Sequence, residues 1–235
     1  MLHIIRSILL ALPMLISHAS AQSSGKHLFI LSGQSNMARL DPALSFTPTL
    51  QKALGAENII VVKSAYGGQP IRRWYREWQQ PGGQAFANNA DLYDSLMEKL
   101  VPAIDGQQLA SVTFIWMQGE RDARESVGTV YEKSLLGLYE QLSNDLARKD
   151  LRFVIGRLSD FGINNADYKH WNMIREIEMR VGDSDPKFAW INTDDLNDGY
   201  DNNGKPISND LHMSVEGYRI MGERFAAAAL RLLNH

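Results

Sequence analysis

The sequence contains no cysteine, and this absence excludes several kinds of chemistry. Without thiols the chain can form no disulfide framework, no thiolate nucleophile and no cysteine-ligated zinc or iron–sulfur centre. A basic excess is also lacking, because 24 Lys and Arg residues stand against 27 Asp and Glu residues. Since nucleic-acid binding depends on a basic stripe that neutralises phosphates, we expect no nucleic-acid partner. The chemistry must come from hydroxyl, carboxylate, imidazole or amide groups.

A hydrophobic run long enough to cross a membrane is missing as well. The apolar stretch at residues 8–16 is well short of the ~20 residues that a spanning helix needs. It follows Arg6 and precedes the small residues Ala19-Ser20-Ala21, a pattern that predicts a secretory signal peptide over residues 1–21. An uncleaved anchor is the alternative, which the short run disfavours. We expect residues 22–235 to form one soluble domain, exported to the periplasm or out of the cell, with no membrane partner.

The pattern of hydrophobic residues predicts an α/β fold. Five short apolar runs predict buried strands at residues 27–31, 58–63, 111–117, 151–158 and 187–192. Helical spacing occurs at residues 91–103, 127–148, 167–181 and 215–233. Such alternation indicates a parallel sheet with helices on both faces, a three-layer α/β/α sandwich.

Three groups of polar or glycine residues follow predicted strands, where an open parallel sheet forms its binding crevice. Ser35 follows the first strand, Gly67-Gly68 the second and Gln118 the third. Taken singly, each has an ordinary structural explanation as a helix cap, a turn or a polar strand end. Together they supply a hydroxyl nucleophile and donors for a developing oxyanion.

A candidate base comes from the histidines. Signal cleavage would leave His27, His170, His212 and His235. His27 and His235 lie at the chain ends and His170 lies in a helical stretch. His212 lies in a loop beside Asp210, just before the last helix, which Ser214 could cap.

These groups together resemble a known family. The chain is similar to the SGNH-type esterases of the branch that contains acetylxylan esterases and sialate O-acetylesterases, the SASA family. The resemblance implies a five-stranded, flavodoxin-like sheet and a serine esterase without metal or cofactor. It further implies that Ser35 is the nucleophile and His212 the general base, with an oxyanion hole from the N–H groups of Ser35 and Gly68 and the Gln118 side chain. The residues that carry it are G-Q-S-N-M at 33–37, Gly67-Gly68 with Ile71 and Trp74, Q-G-E-R-D at 118–122, and Asp-Leu-His at 210–212.

The acid that supports His212 is less clearly indicated. Many members carry Asp three residues before the histidine, and Asn209 stands at that position here. An amide can accept a hydrogen bond from the imidazole N–H but carries no charge to stabilise an imidazolium, and this replacement costs ~10⁴ in rate in a chymotrypsin-type enzyme. We therefore expect Asp210 to be the acid, as in the Asp-x-His pattern of some relatives. Glu120 is the second choice and Asn209 the third.

The substrate class is acetylated carbohydrate, by the same resemblance. Trp74, with Tyr75 and Trp78, forms either an aromatic platform for a sugar or part of the protein core. Arg72, with Arg73 and Arg76, indicates either an acidic sugar or a solvated charged face. The Asp- and Asn-rich segment 194–204 does not match the EF-hand spacing, so we predict no metal site there. The alternative function is a carbohydrate-binding protein with little or no turnover.

Overall fold

The computed structural model of the chain describes residues 25–84 and 90–234. The predicted signal peptide at residues 1–21 and His235 lie outside the described residues. Five parallel strands form one sheet in the order β2-β1-β3-β4-β5, the flavodoxin-like order. The strands are β1 (Lys26–Gly33), β2 (Ile59–Ala65), β3 (Leu109–Met117), β4 (Arg152–Gly156) and β5 (Phe188–Ile191).

Seven α-helices, four short 3₁₀ helices and a small antiparallel hairpin accompany the sheet in the described residues. Within these residues, no helix combines the length and the apolar character that a bilayer-spanning segment requires. The hairpin, β6 (Gly199–Tyr200) and β7 (Pro206–Ile207), lies in the Asp- and Asn-rich segment. The helices are α1 (Ser35–Arg39), α2 (Phe46–Leu54), α3 (Asp91–Ile104), α4 (Glu120–Arg124), α5 (Tyr131–Asp145), α6 (Trp171–Gly182) and α7 (Val215–Leu233).

The two faces of the sheet pack against different helices. Leu28 and Ile30 of β1 point into a core shared with α3, α5 and α6. Phe29 and Leu31, the alternate residues of the same strand, point into a second core shared with α2 and α7. Because successive side chains of a strand face opposite sides, one apolar strand supplies both cores. The predicted three-layer α/β/α sandwich with a five-stranded parallel sheet is confirmed.

The backbones of β1 and β3 approach each other closely at their carboxyl ends. The Gln34 N–H donates to the carbonyl of Met117 at 2.9 Å. Gly33 has a φ of +139°, and a Cβ there would lie 1.9 Å from the same carbonyl oxygen. Only glycine fits this close approach. From β1 the chain passes to β2 on one side and then to β3 on the other, so a crevice opens at this switch point.

Candidate active site

The side chains of Ser35 and His212 lie close together beside the carboxyl ends of the strands. Ser35 is the first residue of α1, and His212 lies in the loop before α7. The Nε2 atom of His212 is 3.2 Å from the Oγ atom of Ser35, across 177 residues of sequence. Ser214 caps α7 by accepting the Gly217 N–H at 3.0 Å, as its position predicts. The two side chains are thus within reach for proton transfer from hydroxyl to imidazole.

The surroundings of His212 favour its neutral form. Burial lowers the pKa of His212 below the ordinary 6.5, and the positive charge of Arg39 lowers it further. The negative charge of Asp210 acts in the opposite direction and only partly offsets these effects. A neutral imidazole near pH 7 can accept a proton, as a general base must.

Of the two candidate carboxylates, Asp210 and Glu120, Asp210 lies nearer to the imidazole. Its Oδ1 atom is 3.9 Å from His212 Nδ1, and no other carboxylate in the described ranges lies within 4.0 Å of this ring. The same oxygen accepts the backbone N–H of His212 at 2.9 Å. Glu120 accepts from Asn36, and Asn209 accepts from Asn197 at 3.2 Å. The side chains of Glu120 and Asn209 therefore form their hydrogen bonds with residues other than His212.

Two residues whose backbone N–H groups are unpaired within the described residues line the same pocket as His212. Gly68 and Ser35 line one pocket, and a Cβ on Gly67 would lie 3.8 Å from the Cβ of Ser35. Within residues 25–84 and 90–234, no protein group accepts a hydrogen bond from the N–H of Ser35 or of Gly68. Unpaired N–H groups beside a nucleophile are suited to bind an oxyanion.

The side chain of Gln118 differs from its expected role as a third donor. Gln118 is fully buried, and its Nε2 atom donates to Gln34 Oε1 at 3.1 Å, to Gln69 O at 3.1 Å and to Asp122 Oδ2 at 2.5 Å. An amide nitrogen carries two hydrogens, so these three acceptors use its capacity. Gln34 precedes Ser35 and Gln69 follows Gly68. As a correction to the sequence-based expectation, Gln118 joins the segments that carry the backbone donors.

The pocket around Ser35 contains residues that the sequence did not indicate. Its volume is about 210 Å³, and two arginines of α4 contribute to its wall. The position of Arg121 and Arg124 directly after β3 was the sequence signal that could have identified them as pocket residues. Tyr168 lies in an irregular segment before α6, where no sequence motif indicates a site. The remaining lining residues are Gln34, Glu120, Arg121, Arg124, Tyr168 and Leu211.

Three carboxyl groups are buried, and one of them, Glu120, also lines the pocket. Burial raises the pKa of Glu120 to about 7 and that of Asp122 to about 7. Burial also raises the pKa of Glu178 well above its ordinary range. No cluster of three or more histidine or acidic side chains in the described ranges is arranged to hold a metal ion.

Trp74 and Arg72 lie away from the pocket. Trp74 has no exposed surface and packs edge-on against Trp116, with ring centroids 5.3 Å apart. Tyr75 and Trp78 are buried in the same core, so these rings do not form a platform for a sugar. Arg72 pairs with Glu125 at 2.5 Å. Its two neighbours are also paired, Arg73 with Asp91 and Arg76 with Asp145.

Comparisons with known proteins give a family match and several matches to solved structures. A family model described as "Carbohydrate esterase, sialic acid-specific acetylesterase" (SASA) matches residues 38–231. No curated protein matches the sequence significantly.

Solved structures share the fold at low sequence identity. An Arabidopsis thaliana protein has a TM-score of 0.64 and 18% identity over 88% of this chain and 98% of its own. A carbohydrate acetylesterase from Xanthomonas citri has a TM-score of 0.61 and 19% identity over 88% of this chain and 56% of its own. A protein named NanS has a TM-score of 0.62 and 13% identity over 89% of this chain and 98% of its own.

Proposed function

The chain belongs to the SASA family of carbohydrate esterases, and on that premise we propose that it is an exported serine esterase that removes O-acetyl groups from carbohydrate. Family membership makes it a carboxylic ester hydrolase that acts on carbohydrates. The proposal adds a catalytic site composed of Ser35, His212 and Asp210. The observation that carries it is the 3.2 Å distance between His212 Nε2 and Ser35 Oγ.

In the first step the hydroxyl of Ser35 attacks the acetyl carbonyl carbon. His212 Nε2 takes the hydroxyl proton, and the carbonyl oxygen becomes an oxyanion. Collapse of this intermediate breaks the bond to the sugar oxygen, which leaves with the proton from His212. The product of this step is a free sugar hydroxyl and an acetyl ester on Ser35.

In the second step water releases the acetyl group. His212 accepts a proton from the water as it attacks the acetyl-serine carbonyl, and then returns that proton to Ser35 Oγ. Acetate is the product. Asp210 stabilises the imidazolium that forms in each step, because its carboxylate lies 3.9 Å from Nδ1.

The N–H groups of Ser35 and Gly68 would hold the oxyanion in both steps. Loss of one such donor costs about 10² to 10³ in turnover in a well-studied protease. Gln118 supports this hole by bonding to Gln34 and Gln69, which adjoin the two donors.

The substrate would be an acetylated polysaccharide or an acetylated sialic acid. The family description names sialic acid, and the similar protein from Xanthomonas citri is called a carbohydrate acetylesterase. Export rests on the signal-peptide pattern of residues 1–21 and would bring the enzyme to substrates in the periplasm or outside the cell.

Acetate release tests this function. The purified protein, Ser35→Ala and a matched control, Ser184→Ala, are assayed with p-nitrophenyl acetate, acetylated xylan and an O-acetylated sialic acid. Ser184 also makes one side-chain hydrogen bond, to the carbonyl of Val181. It precedes β5 and so lies at the amino ends of the strands, away from Ser35. We expect release by the wild type and the control, and a loss of at least about 10³ in Ser35→Ala.

Two results would contradict the proposal. One is a wild type that releases no acetate from any of the three esters, including one that binds acetylated carbohydrate without turnover. The other is a Ser35→Ala variant that keeps the wild-type rate.

A further inference from the structure

Asn36, the residue after Ser35, links the nucleophile segment to the histidine segment. Its side chain is buried, with 2% of the residue exposed. Its Nδ2 atom donates to Glu120 Oε1 at 2.8 Å and to the carbonyl of Leu211 at 3.1 Å. Its Oδ1 atom accepts the hydroxyl of Tyr218 at 2.9 Å. One amide therefore contacts α4, α7 and the residue directly before His212.

The orientation of this amide is fixed by its partners. The Leu211 carbonyl can only accept, so the nitrogen of Asn36 must face it. A carboxylate on Glu120 accepts the second hydrogen, and the Tyr218 hydroxyl donates to the oxygen. Every hydrogen-bonding atom of the side chain thus has a partner, which makes such a buried network rigid.

We propose that Asn36 is a positioning residue that holds the His212 segment at the distance where its imidazole meets Ser35. The backbone carbonyl of Leu211 is the point of attachment, and Glu120 anchors the amide from the other side. This inference rests on the proposed function, because it assigns a role within the Ser35–His212 pair. It also gives Glu120 a part in the site that requires no contact with the imidazole.

The geometry explains why an amide is needed at this position. An aliphatic side chain would leave the Leu211 carbonyl and the Glu120 carboxyl without their donor. An aspartate would set a second carboxylate against Glu120, and two carboxylates in contact cannot both be ionised without strong repulsion. Neither change removes a group that touches the substrate, so the loss should fall on kcat rather than on KM.

The test compares Asn36→Ala and Asn36→Asp with a control, Asn58→Asp. Asn58 also donates from Nδ2 to a backbone carbonyl, that of Leu54 at 2.7 Å. It precedes β2 and so lies at the amino ends of the strands, away from Ser35. We expect Asn36→Ala to lower kcat for p-nitrophenyl acetate by roughly 10²-fold with little change in KM, because small misplacements of catalytic groups cost about this much. Asn58→Asp should keep the wild-type values.

The pH dependence provides a readout that a change of stability alone would not alter. Protonation of the carboxyl pair in Asn36→Asp removes the repulsion, so its kcat relative to wild type should rise at least about tenfold from about pH 9 to about pH 6. The ratio for Asn36→Ala should stay constant over this range. Measurements are made well below the thermal unfolding temperature of each variant.

Two results would overturn the inference while leaving the proposed function intact. One is an active wild type with Asn36→Ala within about threefold of its kcat. The other is an Asn36→Asp ratio that is as independent of pH as that of Asn36→Ala. A wild type without esterase activity would instead contradict the proposed function itself.

Discussion

The proposed role of His212 as a general base depends on its immediate neighbours. Burial and the charge of Arg39 lower its pKa, and Asp210 is the group that raises it. Since the imidazole must be neutral to accept the proton, activity should fall as the pH decreases through this lowered pKa. The acid limb of the pH profile of kcat/KM should therefore have its midpoint below 6.5.

Replacement of Asp210 by asparagine should change both rate and pH profile. Without its negative charge the pKa of His212 falls further, so the acid limb should move to lower pH. We expect turnover to fall by about tenfold, well short of the ~10⁴ seen for a buried triad aspartate. The Asp210 side chain is 43% exposed and its oxygen is 3.9 Å from Nδ1, so solvent weakens its influence.

Steady-state kinetics across pH check this prediction. Asp201→Asn, in the nearby hairpin segment, serves as the matched aspartate control and should behave as wild type. An unchanged profile and rate in Asp210→Asn would exclude Asp210 as the supporting acid, and a shift of the acid limb to higher pH would contradict the electrostatics.

The placement of Ser35 and Gly68 could be inferred from sequence because each follows a parallel strand, and parallel strands end at the same side of the sheet. His212 could be singled out by its loop position beside Asp210, just before α7. The orientations of the Trp74 and Gln118 side chains could not be inferred from the sequence. Trp74 turns inward because Trp116 of β3 offers an edge-on partner. Gln118 turns inward because Asp122, one helical turn later, accepts from it. Such choices depend on partners that the local sequence does not specify.

The loop that carries His212 leads directly into the first turn of α7, which fixes the end of that loop. Ser214 accepts the N–H of Gly217 and is buried. Ser214→Ala should lower the free energy of unfolding by about 1 kcal/mol, the usual cost of losing a serine cap. Urea unfolding measures this difference, with Ser184→Ala as the control outside any N-cap. A Ser214→Ala protein as stable as wild type would show that the cap does not hold α7.

The regular elements were predictable to different degrees. Helix α7 begins and ends where its apolar spacing predicts, while α5 and α6 begin at Tyr131 and Trp171 rather than at 127 and 167. Helix α2 was missed because Pro48 and its flanking threonines are weak helix formers. Packing against α7 supports it, since Ser45 Oγ donates to the carbonyl of Arg219 at 2.7 Å. Tertiary contacts here override local propensity.

Buried carboxyl groups should make the stability of the folded protein depend on pH. Burial raises the pKa of Glu120, Asp122 and Glu178 above their values in the unfolded chain. Their folded forms therefore hold protons that the unfolded chain releases, and stability is lost as the pH rises through about 7. Aspartates paired with arginine, such as Asp194, have lowered pKa values and act only at more acidic pH.

Urea midpoints at about pH 5 and about pH 9 measure this effect, and the midpoint should be higher at the lower pH. Glu178→Gln keeps the size of the side chain and removes its titration, so it should narrow the difference between the two midpoints. Glu98→Gln, an exposed change on α3, should leave the difference unchanged. Equal midpoints in the wild type, or no narrowing in Glu178→Gln, would contradict the role of the buried carboxyls.

We propose that Ser35 carries the acetyl group between sugar and water. The most direct measurement is peptide mass analysis of the enzyme after rapid acid quench during turnover of p-nitrophenyl acetate. We predict a mass gain of one acetyl group on Ser35 in the wild type, absent from Ser35→Ala together with acetate release. Acetate release without acetylation of Ser35, at times when the intermediate should accumulate, or undiminished release by Ser35→Ala would contradict the claim.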